Sequence, residues 1–152
     1  MHVLLVNNST IPVYAYGGTE RVIWDLGKSL VKLGHKVSYL VPEGSHCDFG
    51  RVLPIDTKRP WQEQIPADID ITHFQFNPHM PPDVPYLVTE HGNARKTKPL
   101  PLNTVFVSQN HASRYGSDQY VLNGLDWESY GAVDLDNIRT RFHFLGKAAW
   151  SV

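Results

Sequence analysis

Short runs of apolar residues recur along this chain, separated by more polar segments. Continuous apolar runs bounded by polar or turn residues are typical of strands buried on both faces of a parallel sheet. Such runs occupy residues 2–7, 36–41, 51–54, 70–75, 86–90, 104–108 and 119–122. Residues 19–33 differ, because their apolar side chains recur at helical spacing along one stripe. The alternation of strands and helices predicts an α/β fold with an open parallel sheet.

Several glycines and short segments refine this prediction. Gly27 lies beside the apolar stripe, so we expect that helix to pack closely on the sheet. Gly34 is a stop signal at the end of the same helix. Residues 61–65 and 109–114 are predicted to form brief helical segments. A turn is expected around Gly124, with positive φ at the glycine.

Composition sets limits on the class of protein. With 152 residues, 19% charged residues and a formal net charge of −1, the chain suits one globular domain and gives no electrostatic reason for a nucleic-acid partner. Cys47 is the only cysteine, which excludes an intrachain disulfide and favours a reduced compartment. The first residues lack a signal-peptide pattern, and no apolar run approaches the ~20 residues of a membrane span. We expect a cytoplasmic protein for which peripheral membrane contact stays open.

The number of histidines raises the question of a metal site. The 8 histidines show no tight spacing with one another or with Cys47. Metal-binding motifs usually place such ligands a few residues apart. We therefore expect no metal ion and no other cofactor.

The turn between the first strand and the first helix carries the clearest functional signal. Tyr16, Gly17, Gly18 and Thr19 lead directly into the helix. Glycines let the backbone approach a ligand, and a helix start offers unpaired N–H groups and a positive dipole end. We predict a phosphate or diphosphate site, with a loop that binds no ligand as the alternative. The Gly-x-Gly-x-x-Gly spacing is absent and no acidic residue ends the second strand, which disfavours NAD.

Polar residues beyond the carboxyl ends of the strands are further candidates, because ligands of open α/β sheets bind there. His91 follows the fifth strand and could hold a sugar hydroxyl or polarise a leaving group. His73 is either a satisfied histidine of the sheet or a ligand contact, and Ser108 either caps a helix or binds a ligand. Asn8 belongs to a polar loop that lines the cleft. Arg95 lies in a basic cluster that is either a solvated face or a contact for an anionic acceptor or lipid headgroup.

The motifs, taken in order, resemble one enzyme family. Tyr-Gly-Gly-Thr-Glu-Arg-Val at 16–22 is followed by Val-Thr-Glu-His-Gly at 88–92, Val-Phe-Val-Ser-Gln at 105–109 and Asn-Gly-Leu-Asp at 123–126. This order is similar to the N-terminal half of retaining GT-B glycosyltransferases, and most similar to family four. The resemblance implies a Rossmann-like, three-layer open parallel sheet. It also implies an acceptor-side domain over 1–140, with 141–152 as the start of a C-terminal donor-binding domain that the chain lacks.

The same resemblance implies substrates and residue roles. The donor would be a nucleoside diphosphate sugar, the acceptor a hydroxyl, and the transferred group a hexose. Gly17 and Gly18 would approach the donor diphosphate or sugar, and His91, the catalytic candidate, would lie beside the transferred sugar. Lys147 would meet a donor phosphate where the family often has arginine. Residues expected on the acceptor side or lining the cleft are Asn8, Tyr16, Thr19, His73, Arg95 and Ser108.

Other functions stay open at this point. The family pattern implies that the chain is inactive alone and needs the missing C-terminal domain or a partner chain. The chain could instead be a non-catalytic binding subunit of a split glycosyltransferase. It could also belong to a different GT-B-like enzyme, such as a sugar-nucleotide epimerase or a glycogen-type synthase.

Overall fold

Parallel strands form the centre of the molecule in the computed structural model, which describes residues 1–15, 17–92, 99–132, 134–138 and 140–141. The strands are β1 His2–Val6, β2 Lys36–Val41, β3 Arg51–Pro54, β4 Ile71–Phe74, β5 Tyr86–Glu90 and β6 Thr104–Phe106. The helices are α1 Gly18–Lys32 and α2 Gln109–Ser113, with short 3₁₀ helices at Trp61–Gln64 and Trp127–Ser129. Both predicted brief helical segments are therefore confirmed. Within the described ranges, no helix combines the length and the apolar character that a membrane span requires.

The six strands form one sheet in the order β3-β2-β1-β4-β5-β6, and every neighbouring pair is parallel. In this register Leu5 of β1 lies between Tyr39 of β2 and His73 of β4. The order is that of a Rossmann-like sheet, which confirms the predicted open α/β architecture. The strand order reverses between β1 and β4, and ligands of such sheets bind beyond the carboxyl ends of the strands at that point.

The sheet buries apolar side chains on both faces, as its continuous apolar runs predicted. On one face Leu5 and Tyr39 pack with Ile23 of α1. On the other face Phe74 packs against Trp61, with ring centroids 4.5 Å apart in an edge-to-face arrangement. Full burial of one such side chain contributes about 1.5–3 kcal/mol, so these two clusters fix the strands that carry the candidate site.

Two glycines decide where α1 lies and where it ends. A Cβ on Gly27 would be 1.8 Å from the hydroxyl oxygen of Tyr39, so any side chain there would push the helix away from the sheet. Gly34 has φ 84 and its N–H donates to the Val31 carbonyl at 2.9 Å, which turns the chain out of the helix. The predictions of close packing and of a helix stop are both confirmed.

The segment after α2 departs from its prediction. Residues 119–122 do not form a strand, because only an isolated bridge at Tyr120 joins them to β6. Gly124 does not adopt positive φ and lies outside any turn, so that prediction is also wrong. The physical reason is a contact farther along, where the backbone N–H of Asp126 donates to the Asp25 carboxylate of α1 at 3.1 Å. That contact draws the chain across the helix instead of letting it turn.

Candidate functional site

The first turn of α1 opens at the carboxyl edge of the sheet, after the loop that follows β1. The first backbone hydrogen bond of the helix runs from the Arg21 N–H to the Gly17 carbonyl at 3.3 Å. The N–H groups of Gly18, Thr19 and Glu20 precede that bond, and no side chain of the described residues caps them. Unpaired donors at the positive end of a helix dipole attract negative charge. The Glu20 carboxylate already lies at this end of the helix, with its Oε2 2.9 Å from the point where a Cβ on Gly17 would be.

Gly17 and Gly18, predicted to act as a pair, have different roles. Gly17 is buried with φ 156, and a Cβ there would lie 2.6 Å from Cγ2 of Val13. The absence of a side chain at Gly17 is therefore a packing requirement. Gly18 is exposed, and a Cβ on it would meet nothing within 4 Å. The space beside the Gly18 α-carbon, at the start of α1, is therefore open.

His91 follows β5 and is held by Gln75, which follows β4. The Nε2 of His91 lies 2.8 Å from the Oε1 of Gln75. With that amide oxygen as acceptor, the neutral ring carries its proton on Nε2, and Nδ1 becomes a hydrogen-bond acceptor. Gln75 is 7% exposed, and its Nε2 has no partner among the described residues. The neighbourhood therefore contains one oriented acceptor and one buried, unused donor.

The protonation state of His91 follows from its surroundings. Burial lowers its pKa, the Glu20 carboxylate in the first turn of α1 raises it, and His111 lowers it further. The net direction is downward, so the imidazole is neutral at neutral pH. His91 lines the same cavity as Val22, which lies in the second turn of α1.

Of the two interpretations that the sequence context of His73 allowed, the structure shows the satisfied histidine, and the ligand contact stays a prediction. Its Nε2 lies 2.7 Å from the Oγ1 of Thr89 on β5, so it is a satisfied histidine of the sheet. It also lines the same cavity as His91. Burial, with a smaller effect from His91, lowers the pKa of His73 to about 4. His73 is therefore neutral at neutral pH, and its hydrogen bond to Thr89 fixes the orientation of both side chains.

A cavity of about 380 Å³ lies between α1, β4–β6 and the segment 121–125. Its apolar lining comes from all three sides, with Leu26 from the helix, Leu87 and Val105 from the sheet, and Leu122 from the covering segment. Its polar groups include His73, Gln75, Thr89 and His91. The sequence did not predict this cavity, because residues 121–122 of its wall were assigned to a strand and the residues around Gly124 to a turn.

Gln75 was also missed as a functional candidate. A signal for it was present, since Gln75 is two residues after His73 and alternate residues of a strand share one face. Gln75 was not predicted as a site residue, because a polar residue directly after an apolar run is usually interpreted as the end of the strand. Only the packing of β4 against β5 places it opposite His91.

The other residues predicted for the site have different positions and contacts. Ser108 caps α2, because its Oγ accepts from the His111 N–H at 3.1 Å, so its capping role is the one observed. Asn8 is exposed in the loop after β1, and Thr19 lies in the first turn of α1. Predictions for Tyr16, Arg95 and Lys147 fall outside the described residues. Within the described residues, no group of three or more His, Cys, Asp or Glu side chains is placed to hold a metal ion.

Comparisons with known proteins were made for both sequence and structure. No family model and no curated protein matches the chain. A solved structure that is similar is AviGT4, a glycosyltransferase involved in avilamycin A biosynthesis, with a TM-score of 0.67 and 22% sequence identity. The match covers 85% of this chain and 44% of that chain, so this chain spans less than half of the length of AviGT4. At this identity the likeness shows the fold, a Rossmann-like domain shared with a GT-B glycosyltransferase.

Proposed function

We propose that this chain is the acceptor-side domain of a retaining glycosyltransferase, which moves a hexose from a nucleoside diphosphate sugar to a hydroxyl acceptor. The observation that carries the proposal is the open space at Gly18, beside unpaired N–H groups of α1, together with His91 in a cavity that α1 also lines. The similarity of fold to a glycosyltransferase supports it. Unpaired N–H groups and the polar side chains of Gln75 and His91 at one edge of the sheet suit a donor with a charged diphosphate and an uncharged sugar.

The free N–H groups of α1 would act on the leaving group. In the transfer, the bond between the anomeric carbon and the diphosphate oxygen breaks, and its electron pair goes to the diphosphate. The acceptor oxygen forms the new bond on the same face of the sugar, and the hydroxyl proton leaves with the diphosphate. Donors aimed at developing negative charge lower such a barrier, and removing one typically costs about 10²–10³ in rate. Gly18 keeps these donors accessible.

His91 would hold the sugar. Its Nδ1 can accept a hydrogen bond from a sugar hydroxyl, because the ring proton is on Nε2, which donates to Gln75. A neutral ring is suited to this, since a charged imidazolium would have no acceptor nitrogen. Gln75 therefore acts as a positioning residue for His91.

The division of labour between domains is part of the same proposal. Residues 1–140 would supply the acceptor side and the contacts described above. The remaining contacts to the donor would come from a C-terminal domain that begins near 141–152, or from a partner chain. Lys147 would meet a donor phosphate there.

Binding of a donor probe tests the proposal without requiring turnover. UDP-glucose and UDP are titrated into the wild-type chain and into the His91→Ala variant. We expect UDP-glucose to bind more tightly than UDP to the wild type, and His91→Ala to remove most of that difference. The result that contradicts the role of His91 is an unchanged difference between the two ligands. Exposed His79 provides the matched control, as His79→Ala should leave both affinities unchanged.

A further inference from the structure

The cavity between α1, the sheet and the segment 121–125 has His91 and Gln75 of the candidate sugar site at one edge, and the rest of its lining takes no part in the proposed donor contacts. We propose that it binds the apolar skeleton of the acceptor, so that the acceptor is a neutral aliphatic or aromatic alcohol and not a polyol or an anion. This inference rests on the proposed function, which requires a hydroxyl acceptor near His91. It assigns to the cavity a class of substrate that the fold alone does not indicate.

The size and the lining of the cavity suit an apolar ligand. A dry apolar cavity of about 150 Å³ accommodates benzene, whereas this one has about 380 Å³. A bicyclic or comparable aliphatic skeleton therefore fits. Leu26, Leu87, Val105 and Leu122 give it apolar walls on three sides. Burying apolar surface against such walls is favourable by roughly 25 cal/mol per Å².

The polar groups of the cavity fix which end of the ligand carries the hydroxyl. Gln75 and His91 lie at the carboxyl edge of the sheet, on the side of the proposed donor site. The Nε2 of Gln75 is buried and has no partner among the described residues. Buried polar groups normally have a hydrogen-bond partner, so an alcohol oxygen bound beside Gln75 would satisfy this one. The hydroxyl would then lie next to the sugar held by His91.

The charges around the cavity exclude an anionic acceptor from it. None of the residues that line it in the described part of the chain is a lysine or an arginine, whereas Asp25 contributes a carboxylate. An anion placed here would lose hydration without gaining a cationic partner. A neutral alcohol pays no such penalty.

The segment 121–125, which covers the cavity, is followed by residues that bond to α1. Directly after the segment 121–125, the Asp126 carboxylate accepts from the Lys28 Nζ of α1 at 2.5 Å, and its side chain is 7% exposed. Lys32 pairs with Glu128 at 2.9 Å one turn farther along. These contacts tie the wall to α1, so the cavity keeps its third side.

The experiment uses 2-naphthol as an uncharged apolar alcohol, glucose as a polyol and naphthalene-2-sulfonate as an anion. Each is titrated into the methyl-labelled chain, and shifts are followed by NMR at Leu87 and Val105. We expect saturable shifts at both methyl groups with 2-naphthol and none with glucose, and binding of the sulfonate about tenfold weaker or absent. Equal binding of all three probes, or binding of 2-naphthol that leaves both methyl groups unshifted, overturns the proposal.

Matched leucine variants distinguish binding in the cavity from nonspecific hydrophobic binding. Leu122 lines the cavity and is 68% exposed, whereas Leu102 is fully exposed elsewhere, so both tolerate a polar replacement. Leu122→Glu should weaken 2-naphthol binding about tenfold, a typical effect of a changed apolar pocket contact, and Leu102→Glu should not. Equal affinities of the two variants for 2-naphthol overturn the assignment.

UDP-glucose in a parallel titration distinguishes the two proposals. If UDP-glucose shifts the amides of Gly18 and Thr19 but 2-naphthol does not bind in the cavity, only the acceptor assignment fails. If 2-naphthol binds in the cavity but UDP-glucose shifts neither amide, the proposed function fails, and the acceptor role of the cavity fails with it.

Discussion

Two adjacent glycines are predicted to respond in opposite ways to the same substitution. At Gly18 a methyl group would meet nothing within 4 Å and the backbone is already helical. Gly18→Ala should therefore stabilise the fold by about 0.5 kcal/mol, because alanine restricts the unfolded chain. At Gly17 the added Cβ would lie 2.6 Å from Cγ2 of Val13, with φ at 156. Gly17→Ala should cost about 2–4 kcal/mol from strain and overpacking.

The expected effect of Gly18→Ala on ligand affinity is opposite to its effect on stability. A methyl group on Gly18 would stand in the space through which a diphosphate reaches the N–H groups of α1. Loss of one hydrogen bond to a charged group costs about 1.5–3 kcal/mol, so the affinity for UDP-glucose should fall about tenfold or more. Gly18→Ala is thus expected to be a more stable protein that binds its ligand less well, which a purely structural role for this glycine does not predict.

Urea denaturation and calorimetric titration with UDP-glucose measure the two effects on the same samples. Gly131→Ala is the matched control, because Gly131 is exposed and a Cβ on it would also meet nothing within 4 Å. It should leave the affinity unchanged. The reasoning is refuted if Gly18→Ala binds UDP-glucose as tightly as the wild type, or if Gly17→Ala is as stable as the wild type.

Further substitutions test the fold around the site. The pKa of His73 in the folded protein is about 4, below the ordinary value of 6.5. As the pH drops, His73 is therefore protonated first in the unfolded chain, which favours unfolding. The free energy of unfolding should fall by about 3 kcal/mol in total between pH 6.5 and pH 4. The His73→Gln variant should therefore lose less stability than the wild type between these pH values, by about the same amount. Urea melts of both proteins at several pH values measure the difference. Gly27→Ala should destabilise by about 1–3 kcal/mol through overpacking against Tyr39; an unchanged urea midpoint would contradict the packing of α1. Ser108→Ala should cost about 1 kcal/mol by removing a helix cap, and Ser108→Thr should restore most of it.

Much of the fold could be predicted from local pattern. The apolar runs of β1 and β2 and the stripe of α1 depend on neighbouring residues only, and Gly34 marks the end of the helix in the sequence itself. The same locality explains why His91 was found, since a polar residue after a buried strand lies at the carboxyl edge of the sheet whatever the rest of the chain does.

The remaining features depend on contacts between distant residues. The sequence could not separate Gly17 from Gly18, because the difference is the approach of Val13 to one of them. Residues 119–122 have the pattern of a strand, yet the pairing of Asp126 with Lys28 of α1 draws that part of the chain over the cavity. Gln75 became a candidate only through its hydrogen bond to His91 across two strands.

The central claim is that a diphosphate binds against the unpaired N–H groups at the start of α1. Its most direct measurement is an NMR titration of the uniformly ¹⁵N-labelled chain with UDP-glucose, followed at the amides of Gly18, Thr19 and Glu20. We expect saturable downfield shifts at these amides, strongly reduced in Gly18→Ala and retained in Gly131→Ala. Binding of UDP-glucose that leaves these amides unshifted, or no binding at all, would contradict it.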